Sequence, residues 1–373
     1  MSEIGVGIIG TGFMGKAHAF AYRAAPGFFP GGLRPVLEMV ADVNEAAAHE
    51  AAAQFGFRRA VKDWRELVAD PAIGIVSITT PNRLHREIAL AAAAAGKHIH
   101  CEKPLAPSAD EAREMMEAAE AAGVVTQAGF NYVKNPMLKL AREMIEAGEL
   151  GDILTFRGVH AEDYMADPAA PWSWRLDPAG GAGVVADLGS HIIGMARFLL
   201  GPIMELNADL ETAIRQRPVS PGATETRAVE VDDVARLHVR FARGCGGSIE
   251  ASWVTTGQKM QLGFEVSGTR GALVFSQDRL SELHYYRTDA DRRHVGFTRI
   301  EAGPQHEPYG RFCVAPGHQL GFNDLKTIEV AEFLEAVAGG ERRGPDFREA
   351  WEIQKVVDAA VRSSRERRWL SLL

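Results

Sequence analysis

The sequence predicts two domains. Residues 1–130 read as an α/β domain with a parallel, doubly wound sheet. Residues 131–373 read as an α+β domain with a large, mostly antiparallel open sheet. Three observations carry this. The chain opens as strand, glycine turn and helix in Gly5–Tyr22, GVGIIGTGFMGKAHAFAY. Short apolar runs then alternate with helix-period stretches as far as Ala128, the pattern of a parallel sheet. Beyond Leu200 strand-like runs follow one another without long helices between them, as in an antiparallel sheet.

Val6, Ile8 and Ile9 form the first apolar strand, and Gly10-Thr-Gly12-Phe13-Met14-Gly15 follows at once. Met14, Ala17, His18, Ala21 and Tyr22 then recur at helical spacing. In that context the spacing G-x-G-x-x-G has a mechanism. Gly10 permits the tight turn, Gly12 lets the backbone approach a pyrophosphate, and Gly15 lets helix and strand pack closely. Free N–H groups at the helix start then face the phosphates. This is the Rossmann arrangement, and Phe13 and Met14 count with the glycines as candidate dinucleotide contacts. An ordinary glycine-rich turn is the alternative, and the flanking strand and helix speak against it.

Pro26–Pro35 reads as a loop and Val36–Ala41 as the second strand, ending at Asp42. A carboxylate at that tip takes both ribose hydroxyls of an adenosine and repels a 2′-phosphate, which favours NAD over NADP. Asp42 also fits a helix cap, although Asn44 serves as that cap equally well. Trp64–Ala69 is a short helix, Ile73–Thr79 a strand, Thr80–His85 a turn, Arg86–Ala95 a helix and Lys97–Cys101 a strand. Ser108 with Glu111 starts a further helix as a capping box, and Val124–Ala128 is one more strand. Ligands sit at the carboxyl ends of such strands. Three polar turns lie there: Gly10–Gly15, Thr80–His85 and Glu102-Lys103-Pro104.

Asn131–Gly148 reads as a linking helix opened by Pro136, and Ile153–Ala161 as a strand. Strand-like runs follow at 203–214, 234–241, 246–254, 261–267, 272–276 and 283–286, with 218–227 as a polar loop and closing helices at 320–337 and 348–363. The chemical cluster of this half is Gly180-Gly-Ala-Gly-Val-Val-Ala-Asp187-Leu-Gly-Ser-His191. Four residues of spacing put Asp187 and His191 on one helical face. A carboxylate beside an imidazole orients it for proton transfer. From the residues alone, a helix-capping Asp187 and a satisfied helix histidine are the favoured readings.

Gly10-x-Gly12-x-x-Gly15, Thr80-Pro81-Asn82-x-x-His85 and Glu102-Lys103-Pro104, in that order, resemble the signature of the Gfo/Idh/MocA oxidoreductases. The Asp187 stretch resembles the family's G-G-G-x-x-x-D-x-G-x-H motif. The resemblance covers essentially the whole chain and implies an NAD-dependent dehydrogenase. Its hydride donor would be the CH–OH group of a cyclic polyol, sugar or anhydrosugar. It implies Thr80, Pro81, Asn82, His85 and Glu102 near the cofactor, and Lys103 at both nicotinamide and substrate. It also implies a Lys103–Asp187–His191 catalytic set, and a Lys103–Pro104 bond that is often cis. Trp172-Ser-Trp-Arg175-Leu-Asp177 and Pro316-Gly-His318…Gly321-Phe-Asn-Asp324 resemble the levoglucosan- and inositol-dehydrogenase-like branch. Trp172 and Arg175 are thereby candidate cofactor contacts, and Tyr132, Asp163 and His318 candidate substrate contacts. His160 and Tyr164 are further candidates for the cleft. Many members carry Asp three residues after the motif histidine; this chain has Gly194, so the exact substrate does not carry over.

Two other functions fit the same resemblance: an NADPH-linked sugar reductase, which Asp42 opposes, and a non-catalytic NAD- and sugar-binding regulator, which the intact Lys103, Asp187 and His191 oppose. A net charge of −8 without a basic block argues against nucleic acid. Cys101, Cys245 and Cys313 suggest neither a disulfide framework nor a zinc site. His284, His294 and His306 lack ligand spacing, so no metal is expected. No leader and no apolar run of membrane length is read, which points to a cytoplasmic protein. A broad sheet with one face uncovered points to a homodimer or homotetramer.

Overall fold

The computed structural model describes every residue except Met1, Ala182, Arg292 and Leu373. The chain divides into two compact units, Met1–Lys134 with Gly321–Glu352, and Asn135–Leu320 with Ile353–Leu373.

In the first unit strands and helices alternate as β1 (Glu3–Ile9), α1 (Phe13–Phe28), β2 (Arg34–Ala41), α2 (Glu45–Phe55), β3 (Arg59–Val61), α3 (Trp64–Ala69), β4 (Ile73–Ile78), α4 (His85–Ala94), β5 (His98–Cys101), α5 (Ala109–Ala121) and β6 (Thr126–Ala128). The strands form one sheet in the order β3-β2-β1-β4-β5-β6, parallel throughout. This is the Rossmann order, with the switch point beside β1. Of the capping box read at Ser108 and Glu111, the Ser108 half is seen: its hydroxyl accepts the Glu111 N–H at 3.3 Å to start α5. Asn44, rather than Asp42, caps α2 through the Ala47 N–H. The Pro26–Pro35 loop is shorter than expected, because α1 runs on through Pro26 to Phe28.

The second unit begins with α6 (Pro136–Glu146). The single helix expected over 131–148 is broken at Asn135, which is extended at ψ 128° and caps α6. A residue before proline is disfavoured in helical conformation, so the break precedes Pro136. β7 (Ile153–Ala161) and α7 (Ser190–Leu200) follow, then β8 (Ile203–Glu211), β9 (Gln216–Pro218), β10 (Thr226–Ala228), β11 (Val234–Phe241), β12 (Gly246–Ser252), β13 (Gln261–Gly268), β14 (Gly271–Ser276), β15 (Glu282–Arg287), β16 (Thr298–Glu301) and the short α8 (Tyr309–Phe312). After α9 (Phe322–Val337) and α10 (Phe347–Glu366), β17 (Leu370–Ser371) ends the chain. Nine strands make the sheet β16-β15-β14-β13-β7-β12-β11-β8-β17, antiparallel except between β7 and β12. The polar loop read at 218–227 is flanked by the two-stranded ribbon of β9 and β10.

β7 lies inside this sheet, and α7 packs directly on it. A Cβ at Gly158 would come within 2.6 Å of Ile192 Cγ1, so glycine allows the helix to approach. Against expectation, one described helical run, Pro178–Leu200, is long and apolar enough to cross a membrane. Its apolar window is 89% buried within the protein, which is the character of a core helix.

The segment expected to close the second domain contributes to the first. Val330, Phe333 and Leu334 of α9 share a core with Val6 and Ile8 of β1 and with Ala21, Tyr22 and Ala25 of α1. Phe333 is 1% exposed. Phe333→Ala should cost about 3–5 kcal/mol by the lost burial and the cavity left. Urea unfolding of the variant should show that loss.

Candidate active site

The three polar turns of the first unit stand at the ends of neighbouring strands and are tied together. Gly10 has φ +102°, a conformation only glycine adopts freely. A Cβ at Gly15 would fall 2.1 Å from the Gly10 carbonyl oxygen, so the third glycine is required by packing. A Cβ at Gly12 would meet nothing within 4 Å. The α1 N-terminus has no side-chain cap, which leaves its N–H groups for an anion. The Thr79 hydroxyl donates to Ile9 O at 2.9 Å and lies 3.1 Å from Gly10 O, fastening the β4 tip to the glycine turn. Asp42 accepts from Thr11 N at 3.0 Å, Thr11 Oγ1 at 2.7 Å and Asn44 N at 2.9 Å, so it braces the same turn.

His85 fastens the second turn to the third. Its Nε2 lies 2.9 Å from Thr80 O, and its Nδ1 3.1 Å from Pro104 O. The ring is fully buried, and burial holds its pKa below the ordinary histidine value. Its contacts are with the protein backbone. The Lys103–Pro104 bond is cis, as the resemblance implied. Glu102 turns inward, where Lys326 Nζ and His18 Nε2 each lie 2.8 Å from its Oε1. Burial pushes its carboxyl up, but Lys326 and His18 outweigh that and hold it well below the carboxylate range. Phe13 is 71% exposed, Met14 is half-buried, and Tyr132 meets Phe322 edge-on at 6.2 Å. Thr80 Oγ1 is buried without a hydrogen-bond partner. The open space at Gly12, the uncapped helix start and this orphan hydroxyl fit a bound dinucleotide.

In the second unit the expected motif opens the α7 helix, Ala182 lying outside the described residues. Residues 185–189 form a π-helical turn that leads into α7, a widening that is frequent at functional sites. Asp232 anchors this start. Its carboxylate accepts from Gly183 N at 3.0 Å and Val185 N at 2.7 Å. Asp187 Oδ2 accepts from Tyr164 OH at 2.8 Å and Arg175 Nε at 3.3 Å. Burial and then Asp187 raise the Tyr164 pKa far above neutral, so its hydroxyl stays a donor. Trp253 meets Tyr164 edge-on at 6.2 Å and donates from Nε1 to Asp233 at 2.6 Å. The His191 ring lies 5.5 Å from that of His160, whose Nδ1 is 2.9 Å from Leu188 O and Nε2 3.1 Å from Glu162. A carboxylate, a phenol, a guanidinium and two imidazoles thus gather around one helical turn.

Other candidates stand elsewhere in this unit. The Asp163 carboxylate is engaged by Lys259 at 2.6 Å and by Gly257 N at 3.0 Å, which hold its pKa low. Trp172 stacks beneath Arg227 at 3.6 Å. His318 is exposed, and its carbonyl accepts from Tyr309 OH. Sequence reasoning missed Asp232, Asp233 and the charged cluster behind Glu102; adjacent carboxylates before an apolar strand and a Lys326/Glu329 pair in an apolar helix were the available signals. It also did not foresee that His18, His100 and Glu329 offer ligand atoms within 4.8 Å of one another. The Lys326 ammonium already lies 2.7 Å from Glu329 Oε1, a built-in cation at that place.

Fold and turns together define a dinucleotide-dependent oxidoreductase with a separate α+β domain. Residues 4–130 match the family model described as "Oxidoreductase family, NAD-binding Rossmann fold", and residues 138–274 the "GFO/IDH/MocA C-terminal domain". The chain belongs to the Gfo/Idh/MocA family and is an NAD-dependent dehydrogenase. It is 40% identical to levoglucosan dehydrogenase of Pseudarthrobacter phenanthrenivorans, over 100% of this chain and 99% of that one. A structure of levoglucosan dehydrogenase with NADH and levoglucosan superposes at TM-score 0.95, with 40% identity and full coverage of both chains. An NAD-binding oxidoreductase from Klebsiella pneumoniae superposes equally well at TM-score 0.95, with 42% identity over all of both chains.

Two predictions follow from the packing at these sites. Gly12→Ala should leave the melting temperature nearly unchanged while weakening NADH binding at least about tenfold, since its Cβ enters only the open space. Gly15→Ala should lower both, and thermal melts with NADH fluorescence titrations separate the two. For Asp232, burial raises the carboxyl to about 6 against the two amide bonds. A raised folded-state pKa favours the fold at low pH and loses that contribution as pH rises through about 6. The melting-temperature advantage of the unmodified chain over Asp232→Asn should therefore shrink as pH rises from about 4.5 to 7.5.

Proposed function

We propose that this dehydrogenase oxidises a ring carbinol of a sugar or anhydrosugar, with levoglucosan the first substrate to try. The observation that carries the reading is full-length similarity, at 40% identity, to a levoglucosan dehydrogenase. The aromatic and polar residues around Asp187 support it, since sugars are held by such mixed surfaces. Bound NAD⁺ supplies the hydride acceptor. Gly10, Gly12 and Gly15 hold its pyrophosphate, Asp42 its adenosine ribose, and the turns at Thr80–Asn82 and Lys103 the nicotinamide end.

The chain's own groups manage the proton and the charge on oxygen. His191 takes the hydroxyl proton while the carbon loses hydride, leaving a ketone. Asp187 orients that ring, and is itself held by Tyr164 and Arg175. The Lys103 ammonium stabilises negative charge developing on the carbinol oxygen. Asp42 favours NAD over NADP by repelling a 2′-phosphate.

Lys103→Ala and His191→Ala should each lower turnover of levoglucosan by about a hundredfold or more. NADH affinity should hold within a few-fold. If His191 takes the proton, oxidation should rise as its ring becomes neutral, and His191→Ala should flatten that rise. Initial rates at the reduced-nicotinamide absorbance give both readouts. If either variant keeps near-normal turnover, the Lys–Asp–His assignment fails.

A further inference from the structure

Behind the Glu102–Lys103–Pro104 turn lies a group of charges that no step above uses. Lys326 Nζ is fully buried and lies 2.8 Å from Glu102 Oε1 and 2.7 Å from Glu329 Oε1. His18 Nε2 meets the same Glu102 oxygen at 2.8 Å, and His100 Nε2 meets Glu329 Oε1 at 2.9 Å. The hydroxyls of Ser77 and Tyr22 lie 2.7 and 3.2 Å from the two Nδ1 atoms. With each hydroxyl donating, both imidazoles are neutral and give their Nε2–H to a carboxylate. Burial agrees, holding His18 near about 3 and His100 below its ordinary value. Among the described residues, Lys326 is then the one cation set against these two carboxylates.

The remaining oxygen of Glu102 faces the turn. Its Oε2 accepts the Lys103 N–H at 3.2 Å. The carboxylate lies directly beneath Gly129, where a Cβ would come 2.5 Å from Oε1 and 2.7 Å from Oε2. It is thus fixed by an ammonium and an imidazole on one side and by a bare backbone on the other. The titratable groups that face it are His18 from α1, His85 from α4, Cys101 and His100 from β5, and Lys326 and Glu329 from α9.

We propose that Lys326 is a positioning residue for Lys103: its buried ammonium keeps Glu102 ionised and in place, and Glu102 fixes the backbone from which Lys103 extends. This rests on the catalytic role proposed for Lys103. Without the ammonium, Glu102 and Glu329 would be two buried carboxylates with no cation between them, and the group would take up a proton. Where Glu102 takes that proton it is a poorer acceptor for the Lys103 amide, so without Lys326 the turn would loosen at low pH and tighten as Glu102 ionises.

The test uses Lys326→Met, close in shape and without charge. NADH affinity should stay within about threefold, while kcat for levoglucosan falls at least about tenfold. The defect should shrink as pH rises, through an ionisation absent from the unmodified enzyme. The Lys103 amide, observed by selective ¹⁵N-lysine labelling and assigned by its loss in Lys103→Arg, should titrate in Lys326→Met and stay constant from about pH 5 to 9 in the unmodified chain. Gly129→Ala displaces the carboxylate without removing a charge. It should lower kcat comparably with no new ionisation, and serves alone if Lys326→Met does not fold. Unchanged kcat and pH profile in Lys326→Met, or full kcat in Gly129→Ala, overturns the positioning role. So does a kcat loss unaccompanied by titration of the Lys103 amide. Full turnover in Lys103→Ala overturns the catalytic reading instead, and the amide titration still judges the contact.

Discussion

A buried ammonium shared by two carboxylates is the constraint on which the dinucleotide unit depends. Lys326, Glu102 and Glu329 are removed from water together. Such a group is stable only while complete, since removing one partner typically costs about 3–5 kcal/mol. Its members come from the β5 tip and from α9, a helix that joins this unit after the chain has passed through the other. The strand ends that carry the three polar turns are therefore finished by a segment late in the sequence. Apolar packing alone would hold α9 against α1, but it would not specify which carboxylate stands beneath the Lys103 amide.

The second unit solves a similar problem with backbone amides and hydrogen-bond donors. Asp232 receives the N–H groups that open the α7 helix, and Asp233 receives Trp253. Trp253 supports Tyr164, which holds Asp187. Two adjacent carboxylates at the start of β11 thus brace the helix that carries Asp187 and the phenol that orients it. The interior position of β7 fixes His160 from below, and the close approach at Gly158 brings α7 and His191 down to it. Rigid elements hold Asp187 and His191 in place.

Much of this was legible in the residues, wherever the signal was local. The glycine turn, the Ser108 cap and the alternation of the first unit depend on neighbours a few positions apart, and they appear as read. The same locality explains the misses. The three-residue strands at Arg59, Gln216 and Thr226 are too short to show a period. The break at Asn135 is set by Pro136, which disfavours a helical residue before it. Asp42 and Asn44 look alike as caps in the sequence, because both offer acceptor oxygens at a strand end; in the fold Asp42 accepts from Thr11 and Asn44 from Ala47. The Asp163 carboxylate meets Lys259, 96 positions away, a pairing no local pattern announces.

The sequence by itself determined the class of the protein. Period and glycine spacing imply a Rossmann domain and an α+β partner, and the resemblance of three ordered turns to one family implies a nicotinamide-dependent oxidoreductase, because each signal is encoded over a few residues. Only the tertiary structure decided how the side chains are spent. It turned Glu102 and His85 toward the protein, gave Asp187 to Tyr164 and Arg175, and joined Glu102 to Lys326 across 224 positions. Ion pairs and hydrogen bonds form between whichever groups the packing brings within about 3 Å. At such separations in the chain, a charge carries no mark of its partner until the fold places it.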